Sequence, residues 1–263
     1  TWLALQEFCY DARDFSFSGV PCVMCLILLA YQPNEHHRLI VAANRDEFYA
    51  RPSTAAAFWE DAPGVLAGRD LEAGGTWLGV DRAGRFAAVT NFRRSASDLD
   101  KPRSRGELTQ GFLSSDLSAA DYFATISPHL DQYRGFNLIL MDETGLFYGN
   151  NTTGDLAGLS AGYYGLSNQR LDCDWPKVTE GRDRLSALTA SHPIDSKALL
   201  GLLRDTGDHR PFSNSFIASE DYGTCVSTLV QFDREGGIEF LEQGFHPGGV
   251  DGECVTFSLA QAS

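Results

Sequence analysis

Lysine is almost missing from this chain of 263 residues, where only Lys101, Lys177 and Lys197 occur. Positive charge therefore rests on arginine, which keeps its proton and grips carboxylate or phosphate through a planar fork. Cations are also outnumbered, 21 Lys and Arg against 35 Asp and Glu, for a net charge of −14. That balance excludes nucleic acid as a partner, since binding phosphates needs clustered Lys and Arg that release counterions. No apolar run reaches the roughly 18 residues that a membrane span requires, so no transmembrane segment is expected. The first 23 residues have no basic start, and Glu7, Asp11, Arg13 and Asp14 interrupt any apolar stretch, so they are not expected to be a secretory signal. Six cysteines, at positions 9, 22, 25, 173, 225 and 254, make no zinc-like Cys/His set. No metal site is expected, and reduced thiols fit a cytoplasmic protein better than a disulfide scaffold does.

Apolar residues make up 43% of the chain, enough for a substantial core, and no linker, repeat or low-complexity tract divides it. One compact domain is the expectation. Apolar stretches at 25–31 and 38–44 flank the polar Gln32-Pro33-Asn34-Glu35-His36-His37 and read as a hairpin. Residues 76–81 and 85–91, around Arg82-Ala83-Gly84, read as a second. Helical spacing follows over 105–114 and 118–133. In the latter, Leu117, Tyr122, Phe123, Ile126 and Leu130 recur every three or four residues, and Ser118 with Asp121 makes a helix start. Strands are expected again at 136–142, 145–150 and 163–168. Helices follow at 176–190, with Pro176 in the first turn, and at 195–205, before strands at 226–233, 237–243 and 253–259. Helices that arrive in pairs between antiparallel strands indicate an α+β layered fold rather than a doubly wound parallel sheet.

The most informative stretch is Asn44-Arg45-Asp46-Glu47, read as the polar end of the second strand. Charged groups are rarely buried without partners, because desolvation is recovered only by pairing or hydrogen bonding. Such a cluster is either a solvated strand end with Arg45 paired locally, or it faces a ligand. Upstream, Met24-Cys25 opens the first apolar run. Downstream come Gly74-Gly75-Thr76-Trp77-Leu78-Gly79-Val80 and Thr90-Asn91-Phe92-Arg93. From Cys25 to about Leu259, these motifs in order resemble the NRDE family, also called the Transport and Golgi organisation 2 family. The resemblance implies a fold like that of the N-terminal nucleophile (Ntn) hydrolases, a four-layer αββα sandwich of two antiparallel sheets between two helical layers. Because the family-like sequence begins at Met24, residues 1–23 are read as a leader, a propeptide or a mis-assigned start, and 24–263 as a single domain.

Cys25 is the sharpest chemical candidate. If translation starts at Met24, removal of the initiator leaves Cys25 with both a thiol and an α-amine of pKa about 7.7–8.0, so one residue supplies nucleophile and base. No histidine lies in a motif that would serve instead. Within the superfamily the chain is similar to conjugated bile acid and penicillin V hydrolases, which also open on Met-Cys. That likeness implies Arg45 and Asp46 flanking the Cys25 amine and thiol. It also implies Asn168, in Tyr164-Gly165-Leu166-Ser167-Asn168, as an oxyanion donor, with Asn91 the second amide candidate. A preorganised donor of this kind is worth roughly 3–4 kcal/mol of barrier in a protease. Asn44, Glu47, Thr76, Trp77 and Arg93 are the candidate substrate-binding residues, and Arg45, Arg51, Arg93 and Arg94 offer a local site for an acidic ligand.

Each residue has a plainer reading. A cysteine at a strand start is usually inert core, Asn91 and Asn168 can cap strand ends, and Trp77 can be core. Gly74 and Gly75 suit a tight turn or a close backbone approach. Two departures from the resembled families stand out: Cys225 occupies a segment, Tyr222 to Thr228, where family members often carry Arg, and Arg45-Asp46 are adjacent where the bile acid hydrolases have Arg-x-x-Asp.

Two functions follow. The first is a hydrolase of an amide or thioester in a small acyl substrate, with no cofactor required. The alternative, implied by the family, is a non-enzymatic carrier of haem or acyl-CoA, with the thiolate on haem iron and arginines on propionates or CoA phosphates. The absence of CxxCH argues against covalent haem attachment. A scaffolding role leaves the polar cluster beside Met-Cys unexplained, and nothing in the residues fixes an oligomeric state.

Overall fold

Two apolar runs become the paired strands Leu26–Tyr31 (β1) and His37–Phe48 (β2) in a computed structural model, which describes residues 24–92, 101–190 and 192–260. The expected leader over 1–23 and the arginines at 93 and 94 lie outside the described residues. The chain next builds a complete second sheet from Ser53–Phe58 (β3), Val65–Asp70 (β4), Leu78–Asp81 (β5), Phe86–Asn91 (β6), Phe136–Asp142 (β7), Gly145–Asn150 (β8) and Leu156–Leu159 (β9). It then returns to the first sheet with Gly162–Leu166 (β10), Tyr222–Asp233 (β11), Ile238–His246 (β12) and Val250–Leu259 (β13). Strand order is β10-β1-β2-β11-β12-β13 in the first sheet and consecutive, β3 through β9, in the second. Every pairing between these strands is antiparallel.

The helices Gly106–Leu113 (α1) and Ala119–Ile126 (α2) connect β6 to β7, while Pro176–Thr189 (α3) and Ser196–Leu203 (α4) connect β10 to β11. Their starts follow local chemistry. The Ser118 hydroxyl accepts from the Asp121 N–H, the Asp195 carboxylate accepts from the N–H groups of Lys197 and Ala198, and Pro176 sits in the first turn of α3.

Side-chain alternation along the strands builds the layers. On β1, Ile27 and Leu29 point between the sheets with Val41, Val80, Ile139 and Met141. Leu26 and Leu28 point the other way, onto Val178, Leu185 and Leu199 of α3 and α4. The outer face of the second sheet, with Ala87 and Leu138, is covered by Leu108 and Phe112 of α1 and Tyr122 of α2. The arrangement is an αββα sandwich of two antiparallel sheets, as expected.

Differences from the expected elements have local causes. The helix expected over 118–133 gives way at Pro128 to a 3-10 turn, Ser127–Gln132, because proline lacks the N–H an α-helix interior uses. Strands β3, β4 and β9 were not expected from the sequence. β3 and β9 are short edge strands rich in Ala or Gly and largely exposed, so neither propensity nor alternation marks them.

α3 lies close on the first sheet because Gly165 has no side chain. A Cβ there would fall 2.8 Å from Val178 Cγ1 and 3.1 Å from the Val178 carbonyl oxygen. Gly165→Ala is expected to lower the unfolding free energy by about 1–3 kcal/mol through overpacking. Gly201→Ala, on α4 with nothing within 4 Å, should raise it by about 0.5–1 kcal/mol. Urea denaturation of both variants checks the pair; no cost at Gly165 contradicts the close packing.

Candidate functional site

The tetrapeptide Asn44 to Glu47 does not follow the second strand; it lies inside it. Strand β2 continues to Phe48 because β11 keeps pairing with it, Ser227 opposite Asn44, Val226 opposite Arg45, Thr224 opposite Asp46 and Gly223 opposite Glu47. Cys225 is the extra residue of a bulge in β11 between Thr224 and Val226, and its thiol donates to the Glu47 carbonyl at 3.4 Å. Alternation then divides the four residues. Arg45 and Glu47 take the face of Val41 and Ala43, between the sheets, whereas Asn44 and Asp46 take the face of Ile40 and Ala42, toward the helices.

Between the open ends of the sheets lies a cleft of about 400 Å³ whose wall includes Cys25, Arg45, Asp46, Glu47, Trp77 and Asn91. By the alternation of β1, Cys25 points the same way as Ile27 and Leu29, and extending the β1–β2 register by one residue sets it opposite Arg45. Its sulfur lies 4.0 Å from the Asp46 carbonyl oxygen. Burial pushes the Cys25 thiol up to about 12, with the Asp46 charge adding to the rise; the contact with the Asp46 backbone, Arg45 and Lys177 oppose it.

Asp46 itself is almost completely buried. Its carboxylate accepts from the Thr224 hydroxyl at 2.7 Å, and burial pushes the group up to about 7 against the pull of Lys177, Thr224 and Arg45. Around it the backbone at Met24 and Cys25 is held at three points. The Met24 N–H donates to the Tyr222 hydroxyl at 2.8 Å, Lys177 Nζ donates to the Met24 carbonyl at 3.4 Å, and the Ser167 hydroxyl donates to the Cys25 carbonyl at 2.6 Å. Sequence reasoning singled out none of these three. For Lys177 a signal existed, since residues 177, 181 and 185 share one helical face with Val178, and that face is the buried one.

The structure brings some expected residues together and sets others apart. Cys25, Arg45, Asp46, Glu47, Thr76, Trp77 and Asn91 all line the cleft. Thr76 has spent its hydroxyl on the Leu78 carbonyl at 2.9 Å. Asn168 is not part of that wall; its side-chain amide donates to the Asn91 backbone carbonyl at 3.0 Å, so it meets the wall only at Asn91. Asn44 is turned away altogether. Its amide donates to the carbonyls of Leu203 and Ser215 at 2.8 and 2.7 Å, and its oxygen accepts from the Ser227 hydroxyl at 2.6 Å. The expected substrate-binding role of Asn44 is thereby corrected to a tie between β2 and the α4 layer. Arg93 lies outside the described residues, as does Cys22, which stands at C-x-x-C spacing from Cys25.

Two further residues of the cleft escaped the sequence reading. Glu242 belongs to β12, where alternation with Ile238 and Phe240 sets it inward, an acid on an apolar face. Its carboxylate accepts from the Ala56 N–H of β3 at 2.7 Å, linking the two sheets, and burial pushes it up to about 7. Arg105 precedes α1 and reaches the cleft because Gly75 and Gly106 touch backbone to backbone. A Cβ on Gly75 would fall 2.5 Å from the Gly106 carbonyl, so that the expected close approach at Gly75 is real. Among the described residues, no group of three or more His, Cys, Asp or Glu is placed to hold a metal ion.

Residues 24–247 match the family model of Transport and Golgi organisation 2. The chain is 34% identical over 256 residues to the Transport and Golgi organization protein 2 homolog of Homo sapiens, covering 84% of this chain and 92% of that protein. The Transport and Golgi organization protein 2 of Drosophila melanogaster is 25% identical over 262 residues, with the same coverages. Among solved structures, the chain is similar in fold to a Caenorhabditis elegans N-acylethanolamine-hydrolyzing acid amidase ortholog. The TM-score is 0.50 at 10% identity, over 78% of this chain and 92% of that one. The likeness is one of fold.

Two substitutions check the division of roles. Asn44→Ala leaves buried carbonyls and the Ser227 hydroxyl without a partner, and is expected to cost about 1–3 kcal/mol of stability in urea denaturation. A stability equal to that of the parent protein contradicts the tie. For Glu242 the sign is fixed by linkage. The folded protein keeps its proton up to about 7, whereas the unfolded chain releases it near 4.5, so the folded state binds more protons in that window and stability falls as pH rises through it. Glu242→Gln should reduce that fall by about 1–3 kcal/mol, read from denaturation curves at several pH values; parallel pH profiles would contradict the buried acid.

Proposed function

The chain belongs to the Transport and Golgi organisation 2 family, and from that premise we propose that it hydrolyses an amide or thioester of a small acyl substrate with Cys25 as nucleophile. The observation that carries the reading is the position of the Cys25 sulfur on the wall of the cleft between the sheets, beside Arg45 and the Asp46 carbonyl. The fold relationship to an amidase supports the same reaction class.

A thiol raised to about 12 is a poor nucleophile at neutral pH, so the reaction needs a base at the sulfur. Release of Met24 would supply it, an α-amine at the point where Lys177 and Tyr222 now hold the Met24 peptide groups. In the proposed cycle the amine takes the thiol proton and the thiolate adds to the substrate carbonyl, forming a C–S bond. The resulting oxyanion is met by the amide of Asn91, which Asn168 positions. Collapse breaks the bond to the amine or thiol leaving group, which departs with the proton from the ammonium. Water then cleaves the acyl-cysteine and restores the thiol.

A second reading has one observation in its favour. While Cys25 remains joined to Met24 its nitrogen is an amide and cannot act as base, so the same cleft would serve a carrier of an acyl ligand such as acyl-CoA. Haem fits this carrier reading poorly. Thiolate ligation needs a deprotonated sulfur, burial holds the Cys25 thiol at about 12, and no histidine is among the described residues of the cleft wall.

Protein made from its native gene and beginning at Cys25 is expected to turn over a short-chain acyl thioester and to show an acyl adduct on Cys25 by intact mass. Its rate should rise with pH through about 7.7–8.0 as the amine loses its proton. Cys25→Ala should lose at least roughly 100-fold in turnover. Undiminished turnover in that variant rules out the hydrolase, and saturable binding without turnover in the parent protein selects the carrier.

A further inference from the structure

The cleft reverses the charge of the molecule. The chain as a whole carries −14, yet seven Lys and Arg residues line the cleft against four Asp and Glu residues. Burial also keeps two of those acids, Asp46 and Glu242, partly protonated near neutral pH. Several of the cations are neutralised where they stand. Arg69 pairs with both oxygens of Asp61, Arg51 with Asp70 at 2.8 Å and Glu72 at 2.7 Å, and Arg103 with Glu107 at 2.9 Å.

Arg105 is different. It is largely desolvated, and it stands beside a second cation, Arg134. Among the described residues its guanidinium makes one hydrogen bond, from Nη1 to the Gly135 carbonyl at 3.2 Å, and pairs with no carboxylate. The residue lines the cleft. A guanidinium carries five N–H donors in a fork shaped for a carboxylate or phosphoryl group, and holding it desolvated beside a like charge costs free energy that an anion recovers. The position is built, not accidental. Gly75 and Gly106 touch backbone to backbone directly beside it, and Arg105 lies within electrostatic range of the Cys25 sulfur and of Glu47. Helix α1, which Arg105 precedes, is anchored by Leu108 and Phe112 in the core of the second sheet.

We infer that Arg105 is a specificity-determining residue that receives an oxyanion, carboxylate or phosphoryl, carried by the ligand of this cleft at a point remote from its reacting carbonyl. This rests on the cleft being the ligand site, which the hydrolase and carrier readings share, and it selects anionic acyl compounds over neutral ones under both. Arg105 contacts the ligand without entering bond making, so it governs affinity rather than the chemical step.

The test is binding, which needs no turnover. Intrinsic tryptophan fluorescence, with Trp77 on the cleft wall as reporter, is followed during titration with glutarate, with pyrophosphate and with neutral glutaramide. Saturable change with glutarate or pyrophosphate and none with glutaramide is expected, and the stronger of the two anions identifies carboxylate or phosphoryl as the source. Arg105→Gln should weaken that binding about 10-fold or more, the loss of one charge-assisted fork. Arg105→Lys, which keeps the charge without the fork, should fall between, and Arg184→Gln on the outer face of α3 should bind as the parent does. Binding retained in Cys25→Ala while turnover is lost separates this inference from the hydrolase reading. Flat titrations with both anions, or equal affinity in Arg105→Gln and the parent, overturn it. Should Arg105→Gln not fold, parent-like affinity in Arg105→Lys for both anions counts against the fork.

Discussion

Pairing between β2 and β11 persists through four polar residues, and the position of each group in the cleft follows from it. Without that pairing the tetrapeptide would be a solvated strand end. With it, Asn44 and Asp46 are committed to the helix-facing side and Arg45 and Glu47 to the space between the sheets. Because side chains alternate with a period of two, a register slip by one residue would exchange the two pairs. The slip is blocked by groups that have partners on one side alone: Asn44 with two carbonyls of the α4 layer, and Asp46 with the Thr224 hydroxyl. The bulge at Cys225 lets β11 accompany β2 to Phe48 by placing one extra residue where the pairing changes phase.

The two faces of that strand pair have different tasks. Toward the helices, Tyr222, Lys177 and Ser167 hold the backbone at Met24 and Cys25, and α3 can bring Lys177 close because Gly165 leaves it room. Between the sheets, β2 presents Arg45, and the start of β1 presents Cys25, to a cleft whose opposite wall comes from β3, β4, β6 and the segments that lead into β5 and α1. The Cys25 thiol, the Glu242 carboxyl and a set of arginines thus share the cleft, with the buried Asp46 carboxyl behind its wall. Desolvation raises the thiol and both the Asp46 and the Glu242 carboxyl. Glu242, accepting from the Ala56 N–H, also ties the first sheet to the edge of the second where the sandwich is open.

Legibility in the sequence followed the strength of local patterning. The long apolar strands β1, β2, β7 and β11 and the four helices are marked by unbroken apolar runs or by three- and four-residue spacing, and the caps of α2 and α4 are local. Strands β3 and β9 carry Ala and Gly at exposed edges and owe their existence to neighbours distant in the chain. In the cleft, Cys25, Arg45, Glu47, Trp77 and Asn91 were found through motifs. Lys177 and Glu242 were readable in principle, as a cation on the buried face of a helix and an acid on the inward face of a strand. Arg105 and Tyr222 carry no such mark, because their meaning lies in what faces them.

The sequence by itself determined the α+β class, through periodicity, and the family, through motifs contiguous in the chain; the resemblance in turn implied the αββα layering and marked Cys25 as the candidate thiol. Tertiary structure alone decided which members of the polar tetrapeptide face the cleft and which buried carboxyls keep their protons. It also decided that Arg105 stands desolvated beside Arg134 and, among the described residues, pairs with no carboxylate. Those outcomes depend on register between strands nearly 180 residues apart and on burial by four layers, quantities that have no local signature in a chain.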